Sequence, residues 1–221
     1  MLRRNKYLIK LVKKIPNKEF FIAKFTKKYT QNYLNKKLLN SMENFDYIGF
    51  KLSLCFGANP NIDAKIQKGY HLVTRCARSG DELLLSTLLD FCGDINGGES
   101  QGGYLPIHMA ATKGHANILE LLIQYGSNIN AIYELKDENN TIQKKGWTPL
   151  ICACQANKTE AVLMLLKLGA NHLDSNDLGV SALDIATKHK NRIMIKAIFD
   201  KYETPPLTPK KTILTNEYDK I

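Results

Sequence analysis

The chain has 221 residues, 44% of them hydrophobic and 24% charged, which are the proportions of a protein that folds and exclude wholesale disorder. Its formal net charge of +10 belongs to one end: residues 1–40 hold 12 Lys or Arg against the single acid Glu19, so that the rest of the chain sums to about −1. A protein cationic along its whole length is therefore excluded, and no apolar run reaches the roughly 18 residues that a bilayer-spanning helix needs.

The N-terminal segment, residues 1–31, lacks the continuous apolar stretch of a secretory signal. Leu8, Leu11, Val12 and Ile15 recur at helical spacing, and so do Phe21, Phe25, Tyr29 and Tyr33. This predicts a basic amphipathic helical segment that caps the region beginning at residue 32. Two alternatives use the same residues: an organelle-targeting or membrane-surface helix on anionic lipid, and nucleic-acid binding in which lysines meet phosphates while Phe20, Phe21 and Phe25 stack on bases.

From residue 32 the chain repeats itself. Gly69, Gly103, Gly146 and Gly179 open similar phrases at intervals of 34, 43 and 33 residues, and Gly57 in FGANPN ends an earlier, degenerate copy. Each phrase reads as two short antiparallel helices. Pro106 and Pro149 stand where a first helix begins, since proline at the first position gives up no hydrogen bond, and Thr148 is placed to cap the free N–H groups. Ala110, Ala111 and Ala153 are small where two helices must approach. Gly80 and Gly114 break the first helix; Ile118, Leu121 and Leu122, then Val162, Leu165 and Leu166, give the second an apolar face. Gly93, Gly126 and Gly169 come next as expected left-handed caps. A unit of this size buries its apolar face only by stacking on its neighbours, so the array is one domain.

The 43-residue interval holds about ten residues beyond the standard unit, in AIYELKDENNTIQKK between Ala131 and Lys145. Alternating apolar residues around a polar DENN predict a lengthened hairpin finger ending beside Trp147. Gly97-Gly98 and Gly102-Gly103 follow no strand of a phosphate-binding unit and read as loop. Residues 203–221, ETPPLTPKKTILTNEYDKI, read as a mobile tail because their prolines stop helix continuation. The five cysteines, Cys55, Cys76, Cys92, Cys152 and Cys154, include no CxxC pair and lie among apolar residues, which predicts reduced buried thiols in a reducing, cytoplasmic setting and no metal site.

These phrases resemble the ankyrin repeat, whose unit carries G-x-T-P-L-H-x-A and a G-A or G-x-x-N ending. LPIHMAATKGH from Leu105 to His115, GWTPLICA from Gly146 to Ala153 and LGAN from Leu168 to Asn171 carry the likeness. The resemblance implies an all-α ankyrin solenoid with β-hairpin fingers spanning residues 32–202, its repeats at about 32–63, 66–98, 100–133, 143–175 and 176–202. In this family Thr and His of the phrase support the turn together, and here no repeat keeps both: His108 accompanies Leu105, Thr148 accompanies Ile151, and His71 and Thr74 stand reversed. Modest local turn stability is the expectation.

The resemblance also implies where a partner docks, on hairpin tips and the exposed side of each first helix. The residue after each opening glycine is Tyr70, Tyr104, Trp147 or Val180, giving an aromatic rail, with Tyr133 and Lys145 on the long finger beside it. Arg78, Lys113, Gln155 and Lys188 near the ends of the first helices give a mildly basic rail. The expected partner is a protein segment with apolar and acidic residues. No nucleophile with a base, paired carboxylates or HExxH-type ligands appear, so a non-enzymatic module without cofactor, and monomeric, is expected. Ankyrin repeats also occur in proteins that intracellular bacteria and viruses place in host cells, a setting that this Lys/Asn/Ile-rich chain suits.

Overall fold

The computed structural model describes residues 30–64, 70–97, 104–136 and 142–203. The expected N-terminal cap up to residue 29 and the tail from residue 204 lie outside them. Among the described residues, ten helices form five antiparallel hairpins: α1 (Gln31–Glu43) with α2 (Tyr47–Cys55), α3 (Leu72–Ser79) with α4 (Glu82–Asp90), α5 (Pro106–Lys113) with α6 (Ala116–Gln124), α7 (Pro149–Gln155) with α8 (Thr159–Lys167), and α9 (Ala182–Lys188) with α10 (Arg192–Glu203). First helices α3, α5, α7 and α9 stack in one layer, and second helices α2, α4, α6, α8 and α10 stack in another.

The connections between hairpins carry the fingers. Strand β1 (Asp63–Ala64) pairs antiparallel with β2 (Tyr70–His71), and β3 (Tyr133–Lys136) pairs with β4 (Ile142–Trp147). The second finger is the longer one that the 43-residue interval predicts; its tip, residues 137–141, is outside the described residues. Between α8 and α9 the finger shrinks to a single antiparallel bridge, Ser175 to Ser181.

Local chemistry starts and stops the helices. Pro106 and Pro149 occupy the first turns of α5 and α7, and the Thr148 hydroxyl accepts from the Ile151 N–H at 3.3 Å. Ser181 and Asp184 make a reciprocal capping box at α9. Every turn between the paired helices passes through the left-handed region, at Phe45, Gly80, Gly114, Asn157 and Lys190. At Gly80, φ +77, a Cβ would also come within 2.8 Å of the His115 ring, so both backbone and neighbour demand glycine.

The second left-handed series, at the ends of the second helices, is Gly57, Cys92, Gly126 and Gly169. Here the expectation for Gly93 is corrected. Cys92 takes the left-handed conformation, φ +65, and Gly93 fills the next place, where a Cβ would meet the Leu88 carbonyl oxygen at 2.9 Å. Close approach, and not handedness, selects that glycine. Cys92 is consequently exposed, a correction to five buried thiols; Cys55, Cys76, Cys152 and Cys154 are buried.

One apolar core runs through the array from Leu34 to Ile198. Ala110, Ala111 and Ala153 are fully enclosed between the layers, as their size predicts. On α6 the buried face is Ile118, Leu119 and Leu122, with Leu121 only half-buried; Leu119 takes the place assigned to Leu121 because α6 packs on two neighbouring second helices and buries a wider stripe. Outside the core, asparagines stitch successive repeats. Asn59, Asp94, Asn128 and Asn171 each accept from the backbone N–H two residues on. The Asp94 and Asn171 amides donate in turn to Asn61 and Asn130 of the preceding repeat, at 2.7 and 2.9 Å.

Candidate functional site

Two edges of the first-helix layer carry the residues singled out from the sequence. At the finger edge, the long finger gathers Tyr104, Tyr133 and Trp147 into one aromatic cluster with His108. Tyr133 stands opposite Trp147 in the β3–β4 register. Its ring centroid lies 4.2 Å from Tyr104, 5.0 Å from His108 and 6.4 Å from Trp147. The Tyr133 hydroxyl donates to that of Tyr104 at 2.9 Å. Burial, followed by that hydroxyl contact, raises the Tyr133 phenol well above the usual tyrosine range.

The sequence placed Tyr133 on an exposed finger, yet it is only 2% exposed, while its neighbour Ile132 is 57% exposed. Strand alternation sends one residue of that pair inward, and the pairing opposite Trp147 makes it Tyr133. Tyr104 and Trp147 are half-buried against the core, as is Val180, so the aromatic rail is partly used for internal packing. Tyr70 lies on β2, its backbone paired with Ala64, and Lys145 lies within β4.

Beneath the rings, His108 is fully enclosed, and its Nε2–H donates to the Ala131 carbonyl at 2.9 Å, tying α5 to the start of the finger. Burial pushes its pKa down to about 4, which keeps the ring neutral near pH 7. Thr74 holds the equivalent place in α3 and donates to the Gly97 carbonyl. His71, in turn, takes the place of Leu105 and Thr148 at the helix N-cap and makes no cap bond there. The reversal of His and Thr therefore keeps a buried donor for the loop beyond one more hairpin.

At the opposite edge, the ends of the first helices present Arg78, Lys113, Gln155 and Lys188, all exposed. Arg78, Gln155 and Lys188 share one register position, seven residues beyond the helix N-caps His71, Thr148 and Ser181; Lys113 is one residue further along its helix, with half-buried Thr112 at the shared place. His115 fixes this edge by donating from Nε2 to the Arg78 carbonyl at 3.1 Å. First helices of eight residues separate the two edges by about 12 Å, at 1.5 Å of rise per residue.

Among the described residues no group of His, Cys, Asp or Glu is placed to hold a metal ion, and no helix is long and apolar enough to cross a membrane. Of the basic segment 1–40, the described part places Lys36 and Lys37 on the exposed side of α1.

Stacked helical hairpins with finger loops along one edge define a solenoid, a scaffold that binds through a surface spread over several units. A family model for ankyrin repeats, described as three copies, matches residues 39–133 and 131–207. The chain belongs to the ankyrin-repeat family, whose members are generally non-enzymatic protein–protein interaction modules. Alpha-latrotoxin-Lg1a of Latrodectus geometricus is 29% identical over 175 residues, which is 75% of this chain and 12% of the toxin. Protein phosphatase 1 regulatory subunit 12A of Mus musculus is 34% identical over 87 residues, covering 39% of this chain and 8% of the subunit. Ankyrin repeat and SOCS box protein 5 of Oryctolagus cuniculus is 30% identical over 123 residues, 46% of this chain and 36% of that protein. The chain thus spans about a third or less of the length of these relatives.

Proposed function

We propose that this chain is a non-enzymatic module that holds a segment of a partner protein along its first-helix layer, between the finger edge and the basic edge. The observation that carries the reading is the exposed row Arg78, Lys113, Gln155 and Lys188 on helices whose other faces are committed to the core. A row repeated from unit to unit offers an extended peptide a succession of contacts, and its net positive charge selects a segment with acidic residues. Tyr104 and Trp147 contribute the apolar part of the contact from the finger edge, with Tyr133 supporting them from below. The Lys/Asn/Ile-rich composition suits a chain that does this inside a host cell.

The test is affinity capture by the full-length chain beside two charge-reversal variants, each checked for an unchanged melting profile. One carries Arg78→Glu, Lys113→Glu and Lys188→Glu; the other carries Lys13→Glu, Lys14→Glu, Lys27→Glu and Lys28→Glu. Loss of a specific protein by the first variant alone supports the first-helix row. Loss by the second alone, with lipid or nucleic acid as the captured material, moves the function to the basic segment 1–40.

A further inference from the structure

Four cations gather where the last two hairpins meet. Lys158 is the N-cap of α8, Lys190 forms the left-handed turn before α10, Arg192 opens α10 and Lys196 lies one turn later. All four are exposed, and among the described residues none of them has an ion-pair partner. Asn191 fixes their arrangement: its Nδ2 donates to Asn157 Oδ1 and to Thr159 Oγ1, both at 3.0 Å, locking the turn before α10 onto the start of α8. Lys190 adopts φ +54 at the register position that Gly80 and Gly114 fill with glycine. A glycine would relax the backbone there; lysine sets another cation at the same end of the two helices instead.

From that end a shallow groove of about 380 Å³ runs between α8 and α10. Leu163, Ile193 and Ala197 give it an apolar lining, and Arg192, Lys196 and Asp200 supply its charges. Leu163 and Ile193 remain 41% and 62% exposed. The groove lies on the second-helix layer, away from the row of Arg78, Lys113, Gln155 and Lys188.

We infer that this groove is a second docking site, taking a protein segment that places one apolar side chain beside a run of Asp or Glu. The apolar side chain fills the trough between Leu163 and Ile193, and the carboxylates meet Lys158, Lys190, Arg192 and Lys196. The complement is a peptide and not a nucleic acid, because no aromatic ring lines the groove for base stacking. A bilayer surface matches it less well, because a flat headgroup layer leaves the trough unfilled. Rim cations of this kind act chiefly on the association rate and its salt dependence, and the buried apolar contact acts on dissociation.

The test uses the full chain and a fluorescein-labelled heptapeptide, Asp-Glu-Glu-Leu-Asp-Glu-Glu, read by fluorescence anisotropy. Saturable binding is expected, weakened about tenfold or more by the combined Lys158→Glu, Lys190→Glu and Arg192→Glu changes and several-fold when Ala replaces the central Leu of the peptide. Lys190→Gly is the folding control: it weakens binding while raising the melting temperature, a pairing that simple loss of structure does not produce. Arg78→Glu and Lys113→Glu together leave the peptide bound, which separates this site from the first-helix row. Unchanged affinity in the Lys158/Lys190/Arg192 variant overturns the proposal. So does charge-dependent binding of phosphatidylserine vesicles or duplex DNA through these residues without binding of the peptide.

Discussion

Thr74 and His108 do the same work in neighbouring repeats: each sends a buried side-chain donor to the carbonyl 23 residues ahead, Thr74 to Gly97 and His108 to Ala131. Each bond ties a first helix to the loop beyond its hairpin. In the next repeat Ile151 takes that place and is packed as an apolar side chain. Thr74→Val and His108→Leu therefore each leave a buried carbonyl without its donor, and urea denaturation is expected to show a loss of about 1–3 kcal/mol for each. Ile151→Val removes only a methylene and costs about 1 kcal/mol.

His108 also gives the fold an acid-sensitive contribution. Burial lowers its folded-state pKa to about 4, against an unfolded value of about 6.5. Below pH 6.5 the unfolded chain takes up a proton that the folded chain refuses until about pH 4, so stability falls as pH falls through this window, by on the order of 3 kcal/mol in all. Above pH 6.5 the contribution is fully present. Denaturation of the wild type and of His108→Gln at a series of pH values checks the sign: the gap between the two is expected to close toward pH 4, and parallel profiles would exclude His108 as the cause.

Phe45 carries a cost that glycine removes. It is 70% exposed and holds φ +55 at the register position of Gly80 and Gly114. With little packing to lose, Phe45→Gly is expected to stabilise the chain by about 1 kcal/mol, seen as a higher melting temperature. Gly114→Ala runs the other way, because φ is +86 and the added Cβ would come within 2.9 Å of the Lys158 side chain.

The aromatic cluster at the long finger separates packing from hydrogen bonding. Tyr133→Phe keeps the ring and removes the donation to Tyr104, for a loss of about 1 kcal/mol. Tyr133→Ala empties a buried site and is expected to cost about 3–5 kcal/mol, and also to move Trp147 fluorescence as the finger loses its support. An unshifted Trp147 spectrum in Tyr133→Ala would show that the finger holds its place without the cluster.

Thiol chemistry reports the turn at Cys92. Ellman's reagent is expected to modify one thiol of the native chain quickly, the exposed Cys92, with Cys92→Ser abolishing that phase. Cys76 and Cys154 are slow, since burial raises both, Cys154 to about 12, and withholds the thiolate.

The repeat, the helix starts and most of the stops follow from local residue chemistry. Pro106, Pro149, Thr148, Gly80, Gly114, Gly126 and Gly169 act through their own φ or through a hydrogen bond three residues away, and such local rules can be read along a chain. The exposure of Arg78, Gln155 and Lys188 was legible for the same reason, because helical spacing fixes which face each residue takes, whereas Lys113 stands one residue further round its helix. What depends on distant neighbours was settled by packing. The pairing of Tyr133 with Trp147 turned a finger residue into the core. The bonds of Thr74 and His108 to carbonyls 23 residues on, and of Asn191 to Asn157 and Thr159, join side chains to partners more than twenty residues away. Those contacts form only when one hairpin is laid against the next, so the stacking of the repeats decides which side chains remain for a partner and which are used to hold the array together.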